Sequence, residues 1–299
     1  MDFDHLTTFR EVAKQKSFSR AGQKLFRSQP AVSAHIRQLE QDYGERLLER
    51  EGKQVRLTPA GELLFEYAGR LLTLRDESLR AVADQGATPR GVLAIGANEA
   101  TCMYVLPDVF AEYQRCYPAV QISIYRNFSR KVIQAVEDGA VDIGIVTLPV
   151  KSASLKVQPI FRDRLMLIVN PKNPLANQHS IRIRDLVGQP LIFPRTGFTR
   201  QQLDKLFRPY RSKIHVSMEL PSVGMIKSFV AAGLGVSLIS ASFAHDEVRT
   251  GQVKLIEIQD VDLWRELGLV YRVDRVLPRA ATAFIALIRQ HRAQASAGK

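Results

Sequence analysis

The sequence predicts an α/β protein in two parts: a small, winged, otherwise all-α head extended by one long helix, and a larger portion of two α/β lobes. Three patterns predict this. Between residues 5 and 43, apolar side chains recur at helical spacing in three short blocks. Between residues 60 and 81 they repeat at alternating steps of four and three. From residue 91 onward, apolar β-rich runs alternate with helical stretches, the order that gives a parallel sheet flanked by helices. The 299 residues, 45% hydrophobic and 24% charged, have ordinary globular composition and suffice for two or three domains.

In the head, Leu6, Phe9, Val12 and Ala13 give a first helix its apolar face. Residues 17–37, SFSRAGQKLFRSQPAVSAHIR, then read as two short helices meeting at a corner. Ser17 or Ser19 is placed to cap the first, and Ser28 the second, each accepting a bond from a backbone N–H that the helix leaves unpaired. Val32, Ile36, Leu39 and Tyr43 form a stripe turned toward Ala21 and Leu25, and Gly44 ends the helix. The opposite side carries Gln29, Pro30, Ser33, Ala34 and Arg37. Such small or hydrogen-bonding residues let a helix sink into a major groove while Gln29 and Arg37 reach base edges or phosphates. LLEREGKQVRLT follows as two extended pieces about Gly52, bearing Arg50, Lys53 and Arg56. It reads either as a wing along a nucleic-acid backbone or as a solvated turn.

Charge supports the first option locally. No acidic residue lies between Glu11 and Glu40, a span that holds Lys14, Lys16, Arg20, Lys24, Arg27 and Arg37. The total of +12 is less informative, because residues 1–90 hold 15 Lys+Arg against 13 Asp+Glu while residues 91–299 hold 27 against 17. The C-terminal surplus is either a solvated surface or a field that draws in an anionic small molecule.

Thr58 and Pro59 start the long helix as N-cap and first helical residue. Ala60, Leu64, Tyr67, Leu71, Leu74, Ser78 and Ala81 give it a heptad seam, and from 58 to about 85 it spans roughly 42 Å at the α-helical rise. Leu64, Tyr67, Leu71 and Leu74 are the expected contacts with a second copy, packing onto the chain's own head being the alternative. GATPRG, residues 86–91, has linker composition. The expected domains are therefore 1–58, the head; 59–90, helix and hinge; and 91–299, the lobes.

In that last part VLAIGA, VQISIYR and VDIGIVTL read as buried strands, with helices near 102–116 and 129–138 between them. After RLMLIVN the scheme recurs as PLIFPR, a helix near 200–208, IHVSMEL, a helix near 222–232 and GVSLIS. RELGLVYR and a final helix near 279–294 return to the first lobe, so lobe 1 covers about 91–161 and 266–299 and lobe 2 about 162–265. Ligands of open parallel sheets gather at strand carboxyl ends, where helix N-termini aim free N–H groups at anions. The first strand-to-helix turns of the two lobes are GANEATC, 96–102, and PRTGFTR, 194–200. Asn98, Thr101, Thr196, Thr199 and Arg200 would clasp a small carboxylate or phosphate-like ligand if these turns face each other; helix capping by Thr101 and Thr199 is the plainer alternative.

Cys102 and Cys116 lack the spacing of a zinc site, and on one continuous helix they stand roughly 21 Å apart, beyond disulfide reach. Cys102 is either a reactive thiol at a helix N-terminus or a small buried apolar residue. An enzyme is not expected: there is no nucleophile elbow or phosphate-binding glycine loop, and the six histidines are scattered. MDFDHL is no export signal and no apolar run nears the roughly 18 residues of a membrane span, so a cytoplasmic place and no membrane partner are expected.

SFSRAGQKL, SQPAVSAHIRQLEQDYG, RLLER and VRLTPAGE, in this order and spacing, resemble the N-terminal segment of the LysR-type transcriptional regulators over about the first 65 residues. The resemblance implies a winged helix-turn-helix that contacts double-stranded DNA through Ser17, Ser19, Arg20, Gln29, Pro30, Ser33, Arg37, Arg50, Lys53 and Arg56. It also implies a homodimer or homotetramer, RNA polymerase as a further partner, and no cofactor or metal. The second part is then similar to the family's periplasmic-binding-protein-like effector domain, holding a small molecule between its lobes. RTGFTR resembles a loop that opens the second lobe, GANEATC occupies the matching loop of the first, and Thr147 falls at another pocket position. The effector-facing set becomes Asn98, Glu99, Ala100, Thr101, Thr147, Thr196, Gly197, Thr199 and Arg200. This sequence departs from the family pattern at Ala34, where many members carry arginine, and at Arg27, a turn position usually apolar. It departs again at Glu99, which either meets a donor group of the ligand or points to solvent. Oxidant-sensing members carry their cysteines in the second lobe, where this chain has none, so a thiol sensor or a tethered enzyme is the lesser alternative.

Overall fold

The computed structural model describes residues 2–51, 54–83 and 88–297. They fall into two compact units, Met1–Gly86 and Ala87–Lys299.

The first unit is built on three helices, α1 (Phe3–Gln15), α2 (Phe18–Lys24) and α3 (Gln29–Tyr43). Ser17 caps α2 by accepting from the Arg20 N–H, and Ser28 caps α3 by accepting from that of Ala31. Between them Phe26 takes a left-handed conformation (φ 54°), and the Arg27 carbonyl oxygen lies 2.7 Å from where a Cβ on Gly22 would stand, so only glycine fits under this corner. Leu6, Phe9, Val12, Ala21, Val32, Ile36 and Leu39 form the core. Tyr43 departs from the expected stripe: it lies in the last turn before the left-handed Gly44 and remains 42% exposed.

The wing is an antiparallel pair, β1 (Leu48–Glu51) and β2 (Gln54–Leu57), in the register Leu48↔Leu57. The Glu40 carboxylate accepts from the Leu47 and Leu48 N–H groups and so ties it to α3. The long helix α4 (Pro59–Ala83) starts at Thr58, whose hydroxyl accepts from the Gly61 N–H. Its seam is placed differently from the heptad expectation. Leu64 (5% exposed) and Ala68 (0%) face the head's own core, with Leu71 partly packed there, while Leu63, Tyr67, Leu74, Leu79 and Val82 are more than half exposed. Leu64 is thus not available to a second copy, because the start of α4 lies against α1 and the wing.

The second unit opens with β3 (Gly91–Ala97), α5 (Glu99–Tyr104), α6 (Pro107–Cys116), β4 (Val120–Arg126), α7 (Ser129–Glu137) and β5 (Ile143–Thr147). The single helix expected over 102–116 is two, because Pro107 cannot donate the backbone hydrogen bond that would join them. Then follow β6 (Leu155–Val169), β7 (Ser180–Ile181), β8 (Pro190–Pro194), α8 (Phe198–Leu206), β9 (His215–Leu220), α9 (Val223–Ala231), β10 (Ser237–Ser240), α10 (His245–Arg249), β11 (Lys254–Ile258), β12 (Trp264–Arg272) and α11 (Arg279–Ala297). Strands β4, β3 and β5 are parallel, and β12 joins antiparallel to β5.

The fifteen-residue strand β6 serves both lobes. Residues 155–164 pair with β12, and 165–169 pair with β10 and β11. Its first half carries Pro159 at a shift in register opposite Gly268, a position where a strand tolerates proline. In lobe 2, β8 and β9 are parallel and β8 reaches Val236 through a bridge at Leu191. One core lies between the lobe 1 sheet and α6 and α11, around Tyr113 and Phe284; another lies in lobe 2 around Phe193 and Phe207.

Candidate nucleic-acid interface and ligand cleft

On the head, α3 turns Val32, Ile36 and Leu39 inward, which leaves Gln29, Pro30, Ala34 and Arg37 exposed on the other side. Gln29 donates to Ser33 Oγ at 3.0 Å, an i,i+4 bond that steadies both side chains on that face. Ser19, Arg20 and Arg56 are exposed, and Ser17 is engaged as the cap of α2. Lys53 and the side chain of Arg50 lie outside the described residues, as do residues 84–87 of the linker. The basic run is partly neutralised in space: Lys24 pairs with Glu11 at 2.8 Å and Arg27 with Asp4 at 2.7 Å. The exposed Lys14, Lys16, Arg20 and Arg37 carry the rest. The Arg27–Asp4 pair explains a charged residue at the corner, since it ties the turn to α1.

In the second unit a cavity of about 480 Å³ lies between the lobes. Four helix N-termini reach its wall. Asn98 caps α5 by accepting from the Thr101 N–H at 2.9 Å, and Ser222 caps α9 by accepting from that of Met225. α7 and α8 have no side-chain cap, and the residue before α8 is Gly197 with φ 98°. Uncapped first-turn N–H groups are donors for an anion.

Of the residues singled out in sequence, Asn98, Glu99, Ala100, Thr147, Thr196, Gly197 and Thr199 line the cavity. Arg200 does not: its guanidinium donates to Glu219 at 2.6 Å and Asp204 at 2.9 Å, and these two carboxylates hold it away from the cleft. Thr101 is fully buried behind the wall, where its hydroxyl accepts from Arg265 Nη2 at 2.8 Å. Glu99 is paired with Arg126, which balances its charge at the edge of the site.

Arg265, on β12, has no counterpart in the sequence reading. It is 5% exposed, lines the cavity and lies over the Phe243 ring at 4.6 Å. Burial pulls its guanidinium down to about 10, against the opposing pull of Asp163. Its only sequence signal is its place at a return between lobes, next to Trp264. Cys102 is half-buried and burial pushes its thiol up, which disfavours the thiolate; Cys116 is exposed, and both thiols are free.

A helix-turn-helix head joined in one chain to a two-lobed α/β unit with an interlobe cavity is the architecture of a DNA-binding transcriptional regulator. Residues 3–62 match the model of the bacterial regulatory helix-turn-helix protein, lysR family, and residues 86–293 match that of the LysR substrate binding domain. The chain belongs to the LysR family of transcriptional regulators. It is 33% identical over 288 residues to a "Probable RuBisCO transcriptional regulator" of Chlorokybus atmophyticus, covering 94% of this chain and 92% of that one. It is 31% identical to a protein of the same name from Synechocystis sp., covering 94% and 84%. In fold it resembles a full-length point variant of OxyR from Pseudomonas aeruginosa, with TM-score 0.72, 24% identity, and coverage of 97% of this chain and 95% of that one. It also resembles full-length CbnR complexed with its target DNA, with TM-score 0.67, 21% identity, and coverage of 97% and 99%.

Proposed function

We propose that this regulator binds promoter DNA as a homodimer or homotetramer and that a small, anionic effector held between the lobes modulates its output to RNA polymerase. In this reading residues 1–58 contact DNA, 59–90 pair two copies, and 91–299 sense the effector. The observation that carries it is the interlobe cavity, walled by residues of both lobes, which the single strand β6 joins. A ligand that prefers one arrangement of the lobes shifts the population toward it, and in this way occupancy reaches the heads.

On DNA, the exposed face of α3 enters the major groove, with Gln29 and Arg37 as the contacts to bases and phosphates and Ser17, Arg20 and Arg56 at the backbone. Footprinting on the chain's own promoter region is expected to protect a two-fold symmetric site with half-sites a whole number of helical turns apart. Arg37→Ala and Gln29→Ala are expected to lose specific binding by about 1–3 kcal/mol each with an unchanged melting temperature. Normal binding by both variants would move the reading face elsewhere. Thermal-shift screening of metabolites against the full chain tests the cleft, since a ligand of the folded lobes raises their melting point.

A further inference from the structure

A guanidinium buried without a carboxylate partner is costly, because desolvation removes its hydration and nothing of opposite charge replaces it. Arg265 is in this position. Among the described residues no carboxylate lies within 4.0 Å of it, and its hydrogen bonds are to two hydroxyls, Thr101 Oγ1 at 2.8 Å and Ser240 Oγ at 3.5 Å. These use two of its five N–H donors. Asp163, whose charge favours the guanidinium, is itself engaged by the Ser242 N–H at 3.3 Å and hydroxyl at 2.5 Å. The Phe243 ring covers one face of the guanidinium, and the remainder looks into the cavity.

We infer that Arg265 is the anchor for a single carboxylate carried on an apolar body, and that this is the class of molecule the cleft accepts. The inference rests on the effector-cleft reading above and sharpens it. One buried cation without a partner matches one negative charge. The other charged residues on the wall do not add to it, since Glu99 is neutralised by Arg126 and Arg130 is exposed at the mouth. The wall also carries apolar side chains, Tyr104, Phe198, Val223, Ile239 and Phe243, among polar ones such as Thr147, Thr196 and Ser222. The apolar side chains pair with hydrocarbon, and a single buried guanidinium matches the one charge of a carboxylate better than the two of a phosphate. The anchor also has a hand on each lobe, Thr101 on α5 in lobe 1 and Ser240 at the end of β10 in lobe 2. A carboxylate on the guanidinium therefore bears on the contact that joins them.

Calorimetric titration of the full chain with hexanoate and cyclohexanecarboxylate, against the amides of the same shape and against inorganic phosphate, tests the proposal. The acids are expected to bind at least about tenfold more tightly than their amides, the smallest step a charged hydrogen bond supplies. Arg265→Gln is expected to erase that preference and Arg265→Lys to keep part of it. In the absence of ligand, Arg265→Met is expected to melt at or above the wild-type temperature, because an apolar side chain of similar size removes an uncompensated charge.

The proposal is overturned if amides bind as tightly as acids, if phosphate is preferred, or if Arg265→Gln keeps the acid preference. Two further results overturn it: no acid of the series binding at tens of millimolar, or a lower melting temperature for Arg265→Met. Thr147→Trp, which puts a bulky ring on the cavity wall, separates this failure from failure of the underlying reading. A neutral ligand that binds wild type and is blocked by Thr147→Trp leaves the cleft as the effector site and removes only the anchor.

Discussion

At the scale of single residues, α3 is held to α1 by a pair of imidazoles as well as by apolar contacts. His35 shares its Nδ1 with the Thr8 hydroxyl at 3.0 Å and lies 4.6 Å, ring to ring, from His5. Burial, with the neighbouring His5 and Arg27, holds His35 below its ordinary value of 6.5, against the opposing pull of Asp4 and Asp2. As the pH falls below about 6.5 the unfolded chain takes up this proton before the folded one does, so the head loses stability from there downward and keeps it above. Scanning calorimetry between about pH 7 and pH 5 is expected to show a falling melting temperature for the head, with a flatter slope in His35→Gln. An equal slope in the variant would place the titration in another group. None of this was legible in the sequence, where His5 and His35 stand thirty residues apart and only the corner between α2 and α3 brings them together.

At the scale of elements, α4 shows what a heptad pattern can and cannot say. The steps of four and three announced a long helix, but they did not say which of its apolar residues the head itself covers. Leu64 and Ala68 complete the core of the head, Leu63, Tyr67 and Leu74 stay exposed along one stripe, and Leu79 and Val82 stand exposed further along the helix on the side of Leu64. Two substitutions separate the roles. Leu74→Glu, on the exposed side, is expected to give a folded monomer at micromolar concentration by sedimentation analysis. Leu64→Glu places a charge in the core of the head and is expected to destabilise it by about 3 kcal/mol or more in denaturant titrations. A dimeric Leu74→Glu would show that the exposed stripe is not the pairing surface. Prolines mark two other departures from the expected elements. Pro107 breaks what read as one helix, and Pro159 lies in the first half of β6, a segment that no expectation named as a strand.

At the scale of the whole molecule, the order of strands and helices made both lobes legible, since alternation is a local property that survives in one dimension. The cleft was legible only in part. The two loops that open the lobes supplied most of the wall residues named in advance, because strand ends and helix starts can be found without coordinates. Arg265 starts RELGLVYR, named only as a returning strand, Phe243 lies in no segment named in advance, and Arg200, which reads as an anion clasp, is taken by Glu219 and Asp204. Which arginine is left without a carboxylate depends on contacts among β6, β10, β12 and α5, and no spacing along the chain encodes that.

Because β6 and β12 lie side by side, with Arg164 opposite Trp264, the chain leaves lobe 1 and comes back to it at one place. Lobe 2 is in effect an insertion into a hairpin. Replacing residues 165–263 by an Asn-Gly turn, which suits a two-residue link between antiparallel strands, should yield a foldable first lobe with a cooperative melting transition. Failure to fold would mean that lobe 1 depends on contacts made by the inserted portion. Success would make the second lobe a modular part, open to exchange for another insert at the same two-strand junction.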